Sequence, residues 1–315
     1  MRKYAIALAV LLMASACSSG SDLFEVPVPT TDGITTVPRA FDEPVVVEAI
    51  AQFLPDGQSC DYLLADRGTP EEDKWGWEVG VDGYERLAAR ISCDIESEEF
   101  WFNHELRIQY PLKTGTAAEW INEQVRDQVA AWIVDYFSQL RERYPTAKRT
   151  GEPGERPPKE DWDWPGNLFI TGVVHFGEDG LHSVYLATYQ NHPYANSTAS
   201  PVVAMNFDLE TDEQFSLSAV FKPDSDWEAR LAEIILRREE EMVTYPEMSA
   251  YMVPEFLAAI DFTMGPDTLA LHAQPYSIWF PDWCCGSSPK HFEIRYEELA
   301  DHLDPDGPYR HILNN

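Results

Sequence analysis

The sequence predicts an α+β body in which mixed and antiparallel sheets pack with one long helix, about 116–143, and a second, about 227–242. Three observations carry this. Short apolar runs with a period of two recur between turn residues, as half-buried strands do. Two segments instead place apolar residues at three- and four-residue steps, the period of a helix with one buried face. Strands and helices alternate without an internal repeat, which excludes a solenoid and fits layers of sheet and helix.

The elements follow in order. Val45–Glu48 and Arg90–Ile95 read as strands, and Phe100–Ile108 as another that Pro111 ends. From Thr116 to Arg143, Ala117, Trp120, Ile121, Val125, Val129, Trp132, Ile133, Tyr136, Phe137 and Leu140 form one stripe. Thr116 with Glu119 three residues on is a capping box at its start. Tyr144–Gly166 is a long Pro-rich loop carrying Trp162 and Trp164. Strands return at Phe169–Phe176, Leu181–Tyr189 and Val202–Leu209, with turns at Glu178–Gly180 and Glu210–Glu213. Asp226 caps the helix from Trp227 to about Met242, and Pro254 starts a short helix through Ile260. Thr268–Ala273, Tyr276–Phe280 and His291–Ile294 read as the last strands, before a closing helical turn over Tyr296–Leu303.

The first residues point to export. Arg2 and Lys3 precede an apolar run, Tyr4–Met13, too short to span a bilayer. Ala14-Ser15-Ala16-Cys17 follows, and a polar stretch begins at Ser18. This is a secretory signal peptide over 1–16. The cysteine at the cut resembles a bacterial lipobox, although Ala14 stands where Leu is usual; an ordinary A-x-A cleavage site is the alternative. Lipidation at Cys17 gives a membrane anchor. Residues 17–44 then read as the lipidated cysteine and a flexible tether. In a Gram-negative host, Ser18 favours the outer membrane, facing the periplasm or the surface.

With Cys17 lipidated, Cys60, Cys93, Cys284 and Cys285 remain, an even number for an oxidising compartment. The favoured pairing is Cys60 with Cys93, leaving Cys284 and Cys285 as a vicinal pair or free thiols. The alternative ties Cys60 and Cys93 to Cys284 and Cys285. No C-x-x-C spacing supports zinc or thioredoxin chemistry.

The chain has 54 Asp and Glu against 23 Lys and Arg, formally −31. Nucleic acid is therefore an improbable partner, since phosphate binding needs a basic face. The bland account of the charge is solubility; the sharper one is long-range attraction of a cationic partner.

Catalytic signatures are sparse. G-x-S-x-G, H-E-x-x-H, Walker and dinucleotide motifs are absent. Ser287–Lys290 fits S-x-x-K and Lys113-Thr114-Gly115 fits K-T-G, but their order is reversed and coincidence accounts for both. His182 and His192 flank one strand, with Asp208 and Asp261 as acidic neighbours to consider; nothing in the spacing demands a metal. Asp304-Pro305-Asp306-Gly307 lacks the closing Glu of a calcium loop and reads as a turn. No catalytic residue, metal or cofactor is assigned.

Several patterns carry a family resemblance. Leu106–Pro111 precedes the long helix, and Leu181–Leu186 precedes Tyr189-Gln190-Asn191. Met205–Thr211 leads to Phe215–Phe221, Leu269–Leu271 to Gln274–Ile278, and Phe292–Leu299 closes the body. In this order, from about Phe100 to Leu303, they resemble the extracytoplasmic part of RsiV-like anti-sigma factors and the non-catalytic domain of PdaC-type proteins. Where that family commonly has Gly-Gly-Ala-His, this chain has Asn191-His192-Pro193-Tyr194, keeping a histidine without the glycines. Cys284-Cys285-Gly286 likewise keeps only the glycine of the family's Tyr-Ala-x-Gly. The resemblance implies a PdaC-like α+β subdomain over 45–150, a Pro-rich loop over 151–166 and an RsiV-like subdomain over 167–315. It also implies envelope recognition, because RsiV-like domains bind lysozyme. No sigma-binding segment is read, so anti-sigma action is not expected.

Two functions remain. The first is a non-enzymatic binding lipoprotein for a lysozyme-like protein or for peptidoglycan. Its contact residues would be Trp162, Trp164, His192, Tyr194, Trp279 and Trp283, although core burial is an equal reading for each tryptophan. The second is an envelope hydrolase acting on peptidoglycan or another glycan or ester.

Overall fold

The protein is described from a computed structural model covering residues 43–54, 58–68, 83–96, 101–115, 119–147, 166–178, 180–191, 201–240, 257, 260–273 and 290–313. These residues fall within one compact unit, residues 40–315. The elements in order are α1 (Pro44–Ala51), β1 (Asp61–Gly68), β2 (Tyr84–Glu96), β3 (Trp101–Lys113), α2 (Glu119–Ala147), β4 (Gly166–Phe176), β5 (Leu181–Asn191), β6 (Val202–Asp208) and β7 (Glu213–Gln214). Then come α3 (Trp227–Glu240), β8 (Asp261–Met264), β9 (Thr268–Ala273), β10 (Lys290–Arg295) and α4 (Arg310–Leu313). The fold is α+β with mixed and antiparallel sheets.

The seven strands β1 to β7 lie side by side in sequence order. Every neighbouring pair is antiparallel except β3 and β4, which run parallel from His104↔Gly166 to Gln109↔Thr171. Parallel neighbours need a crossover, and α2 lies within it. Its apolar stripe does the packing: Ile121, Val125, Val129, Ile133, Tyr136, Phe137 and Leu140 are all buried. They share one core with Leu106, Ile108, Leu168, Ile170, Val184 and Phe207 from the sheet. This core draws on residues from 46 to 207, so the large sheet and its packing run through both halves of the chain. Gly166 permits the close approach, since a Cβ there would collide with the His104 ring and the Tyr136 hydroxyl.

The second sheet is small, in the order β10-β9-β8, and its two faces differ. Leu269, Leu271, Ala273, Phe292, Ile294, Phe262 and Met264 share a core with Leu231, Ile234 and Ile235 of α3. The alternate residues Asp261, Thr263, His272 and His291 belong to the opposite face by the period of two. Among the described residues strand β8 is an edge, and side chains of the large sheet bond its backbone. Ser183 Oγ accepts from the Met264 N–H at 2.9 Å, and Asn206 Nδ2 donates to the Phe262 carbonyl at 2.7 Å. Ser183 also donates to Asn206 Oδ1 at 2.6 Å, which fixes the amide's orientation. Asp261 Oδ1 accepts from the Ala204 N–H at 3.1 Å. These bonds seat the small sheet on β5 and β6 without a continuous ladder.

Four expectations are corrected. Val45–Glu48 is helical, within α1. Pro44 suits the first turn, and Val46, Ala49 and Ile50 are buried at a helical spacing, so burial overrides the strand preference of three valines. The body begins before residue 44, because Glu43 is buried and accepts from Arg126 Nε at 3.0 Å. Strand β3 continues through Pro111, which pairs with Arg86 beyond the last β3–β4 pair, where the missing N–H is tolerated. Helix α2 extends to Ala147, beyond the expected Arg143. Thr116 and the expected strand Tyr276–Phe280 lie outside the described residues. Strands β1 and β8 and the short α4 were not read from the sequence at all.

Cys60 and Cys93 form a disulfide with Cα atoms 4.4 Å apart. It joins the start of β1 to β2 where Asp61 pairs with Ser92, and so fastens an edge strand. Closing a separation of 33 residues restricts the unfolded chain; loop entropy puts this at about 3–4 kcal/mol. Replacing both cysteines by serine is expected to lower the urea unfolding midpoint by a corresponding amount. An unchanged midpoint contradicts this.

Candidate functional site

Several strands start or stop at one end of the body. β2 ends and β3 starts there, Asn167 at the start of β4 pairs with Asn191 at the end of β5, and β6 starts there. Asp261 at the start of β8 pairs with His272, and Lys290 at the start of β10 pairs with Ala273. The segments bearing Trp162 and Trp164, His192 and Tyr194, and Trp279 and Trp283 connect to described strands at this same end. Those six residues, with Cys17, Cys284 and Cys285, lie outside the described residues.

Between the two sheets is a cluster of imidazoles. It is built by β4 (His175), β5 (Tyr185), β8 (Thr263), β9 (His272) and β10 (His291). His272 pairs across the small sheet with Asp261 on one side and His291 on the other, so the three stand in one cross-strand row. His272 Nδ1 is 2.6 Å from His291 Nδ1, and His272 Nε2 is 2.8 Å from Thr263 Oγ1. Thr263 Oγ1 also lies 3.3 Å from His175 Nδ1. The Tyr185 ring covers His272, centroids 4.6 Å apart. His272 is buried, His175 half-buried and His291 exposed.

Burial, reinforced by the neighbouring His291, pushes His175 down to about 4. Burial also drives His272 well below 6.5, helped by His291 and His175. His291 is lowered too, chiefly by desolvation, with Glu293 opposing. Burial raises the Tyr185 hydroxyl above its usual range, as does the charge of Asp261. At neutral pH the cluster is therefore neutral imidazole and phenol.

A second polar group occupies the opposite end. Tyr84 donates its hydroxyl hydrogen to His182 Nδ1 at 2.6 Å, and Lys113 Nζ lies 3.2 Å from the same nitrogen. Burial, then the charges of Lys113 and His311, push His182 down to about 3. Nearby, Asp208 accepts from the Glu210 N–H at 2.9 Å and from Arg310 Nη2 at 2.7 Å, with His311 Nε2 at 3.3 Å. Burial raises the Asp208 carboxyl, but the Glu210 N–H and Arg310 outweigh it and hold it low. Asp208, Glu210 and His311 have metal-ligand spacing. Arg310, however, bonds both Asp208 and Glu210 and supplies the compensating cation. The group pins α4 to the end of β6.

Of the histidines considered from sequence, His182 meets Tyr84 and Lys113, and Asp208 meets the C-terminal helix. Asp261 stands beside His272. The convergence of His175, His272 and His291 was missed, because it needs the register of β8, β9 and β10. The one sequence sign is that His272 and His291 alternate with buried apolar neighbours. Ser183 is committed to Asn206 and Met264.

No family model matches the chain, and no curated protein matches it. The fold is similar to two crystal structures of DUF3298 family members. One, from Bacteroides fragilis NCTC 9343, is 12% identical with a TM-score of 0.46, covering 82% of this chain and 98% of that chain. The other, from Pseudomonas aeruginosa PAO1, is 14% identical with a TM-score of 0.38, covering 79% and 96%.

The histidine cluster makes stability depend on pH. Below 6.5 the unfolded chain binds protons that the folded imidazoles refuse. Stability from the cluster is thus complete above pH 6.5 and is lost as pH falls toward 4. Acid also relieves the repulsion among carboxylates, so the contribution is isolated by comparison. His272→Gln is expected to lose less stability than the natural chain between pH 7 and pH 4. Equal pH slopes in denaturant titrations contradict it.

Proposed function

We propose that the protein is an exported envelope lipoprotein, anchored through Cys17, whose body is a non-enzymatic binding domain for a cationic, lysozyme-like protein. The charge carries this reading. A formal net charge of −31 steers cationic partners and repels acidic ones. The outer membrane, facing the periplasm or the surface, is the proposed location in a Gram-negative host, where residues from Ser18 would hold the body off the bilayer. The partner surface is assigned to the end where β4 starts, β5 ends and β9 gives way to β10. Chain segments with paired tryptophans connect there, and aromatic anchors carry much of the energy of protein interfaces.

No helix among the described residues is long and apolar enough to cross a membrane. In this reading attachment comes from the acylated cysteine.

The test is capture of lysozyme, and inhibition of its lytic activity, by the chain beginning at Ser18 with its disulfide intact. Screening shortens from about 10 Å at 0.1 M salt to about 3 Å at 1 M. Capture is expected at low salt, falling steeply at high salt. Capture by isolated peptidoglycan alone contradicts the protein partner and assigns the surface to wall glycan. Turnover of peptidoglycan contradicts the non-enzymatic reading and points to the hydrolase.

A further inference from the structure

We propose that His272 and His291 form a binding site for a divalent transition-metal cation that favours imidazole, such as zinc or nickel. This proposal does not rest on the identity of the protein partner.

The geometry is that of two ligands aimed at one point. The Nδ1 atoms of His272 and His291 face each other at 2.6 Å, on paired positions of adjacent antiparallel strands. A metal needs about 2.0–2.1 Å to each nitrogen, which at a tetrahedral angle separates the nitrogens by about 3.3 Å. The pair must therefore open by about 0.7 Å. Among the described residues strand β10 is the edge of its sheet and His291 is exposed, and a rotation of its ring opens the pair. Water completes the coordination from that side.

The second nitrogen of His272 is held in the way a ligand histidine requires. Its Nε2–H donates to Thr263 Oγ1 at 2.8 Å, and the Thr263 hydroxyl hydrogen turns to His175 Nδ1 at 3.3 Å. In this assignment both contacts are satisfied and the His272 Nδ1 lone pair points toward His291. An outer partner on the far nitrogen fixes tautomer and ring orientation in most histidine metal sites. Neutral imidazole is the ligating form, and the burial that keeps His272 neutral keeps it competent at neutral pH. Asp261, in the same row, and the acidic chain as a whole favour a cation at this place.

The rival acidic group, Asp208 with Glu210 and His311, is not chosen, because Arg310 already bonds both carboxylates.

The experiment titrates nickel, then zinc, into the full chain with its free thiols alkylated, reading stoichiometry by calorimetry and the histidine ring signals by NMR. One saturable site is expected, with the largest changes at His272 and His291. His291→Ala, at an exposed position, is expected to fold as the natural chain does and lose the site. Thr263→Val is expected to retain it with affinity weakened by roughly 10–100-fold. His302→Ala, away from the cluster, is expected to bind normally. Absence of saturable binding, or unchanged binding in His291→Ala, overturns the proposal.

Discussion

The single parallel pairing between β3 and β4 constrains the whole body. Two antiparallel neighbours can be joined by a tight turn, but two parallel ones cannot. The chain leaving Lys113 must return to Gly166 at the far end of the sheet, and α2 covers most of that distance. A helix laid over a sheet must bury one stripe, and this one buries eight large apolar residues in the core it shares with the sheet. One face of the large sheet is then sealed. The other is available for β8, which docks by side-chain hydrogen bonds, and that docking brings His272 under Tyr185.

The two ends of the body consequently differ. At one, the C-terminal helix closes the structure through Arg310 on Asp208, and Tyr84 and Lys113 converge on His182. These groups are partnered among themselves and read as fastening. At the other, strands of both sheets start or stop together, and between the sheets lie imidazoles kept neutral by burial. Neutral imidazoles at a surface-reaching cluster can hold a proton or a metal. An acidic body above them attracts cations of any size, so the metal and protein partners proposed here draw on one electrostatic cause through different contacts.

Elements with a long, consistent period were legible. The stripe of α2, the alternation in β5 and β9 and the apolar face of α3 appear nearly at their true bounds. What misled was short. Val45-Val46-Val47 has the composition of a strand, yet only the position of Pro44 and the burial of Val46, Ala49 and Ile50 reveal α1. Asp261–Met264 is four residues long, and its strand conformation depends on pairing with β9 and on Ser183 and Asn206. The histidine cluster was hidden for a related reason. His175 and His272 are 97 positions apart, and only strand register unites them.

The central claim is that a cationic protein meets the end of the body where β4 starts, β5 ends and β9 gives way to β10. Hydrogen–deuterium exchange, with and without lysozyme, tests it most directly. The account predicts slowed exchange at Gly166–Leu168, Thr188–Asn191 and Lys290–Phe292, with Tyr84, Lys113 and Arg310 unchanged. Protection confined to Tyr84, Lys113 and Arg310, or no protection at all, would contradict it.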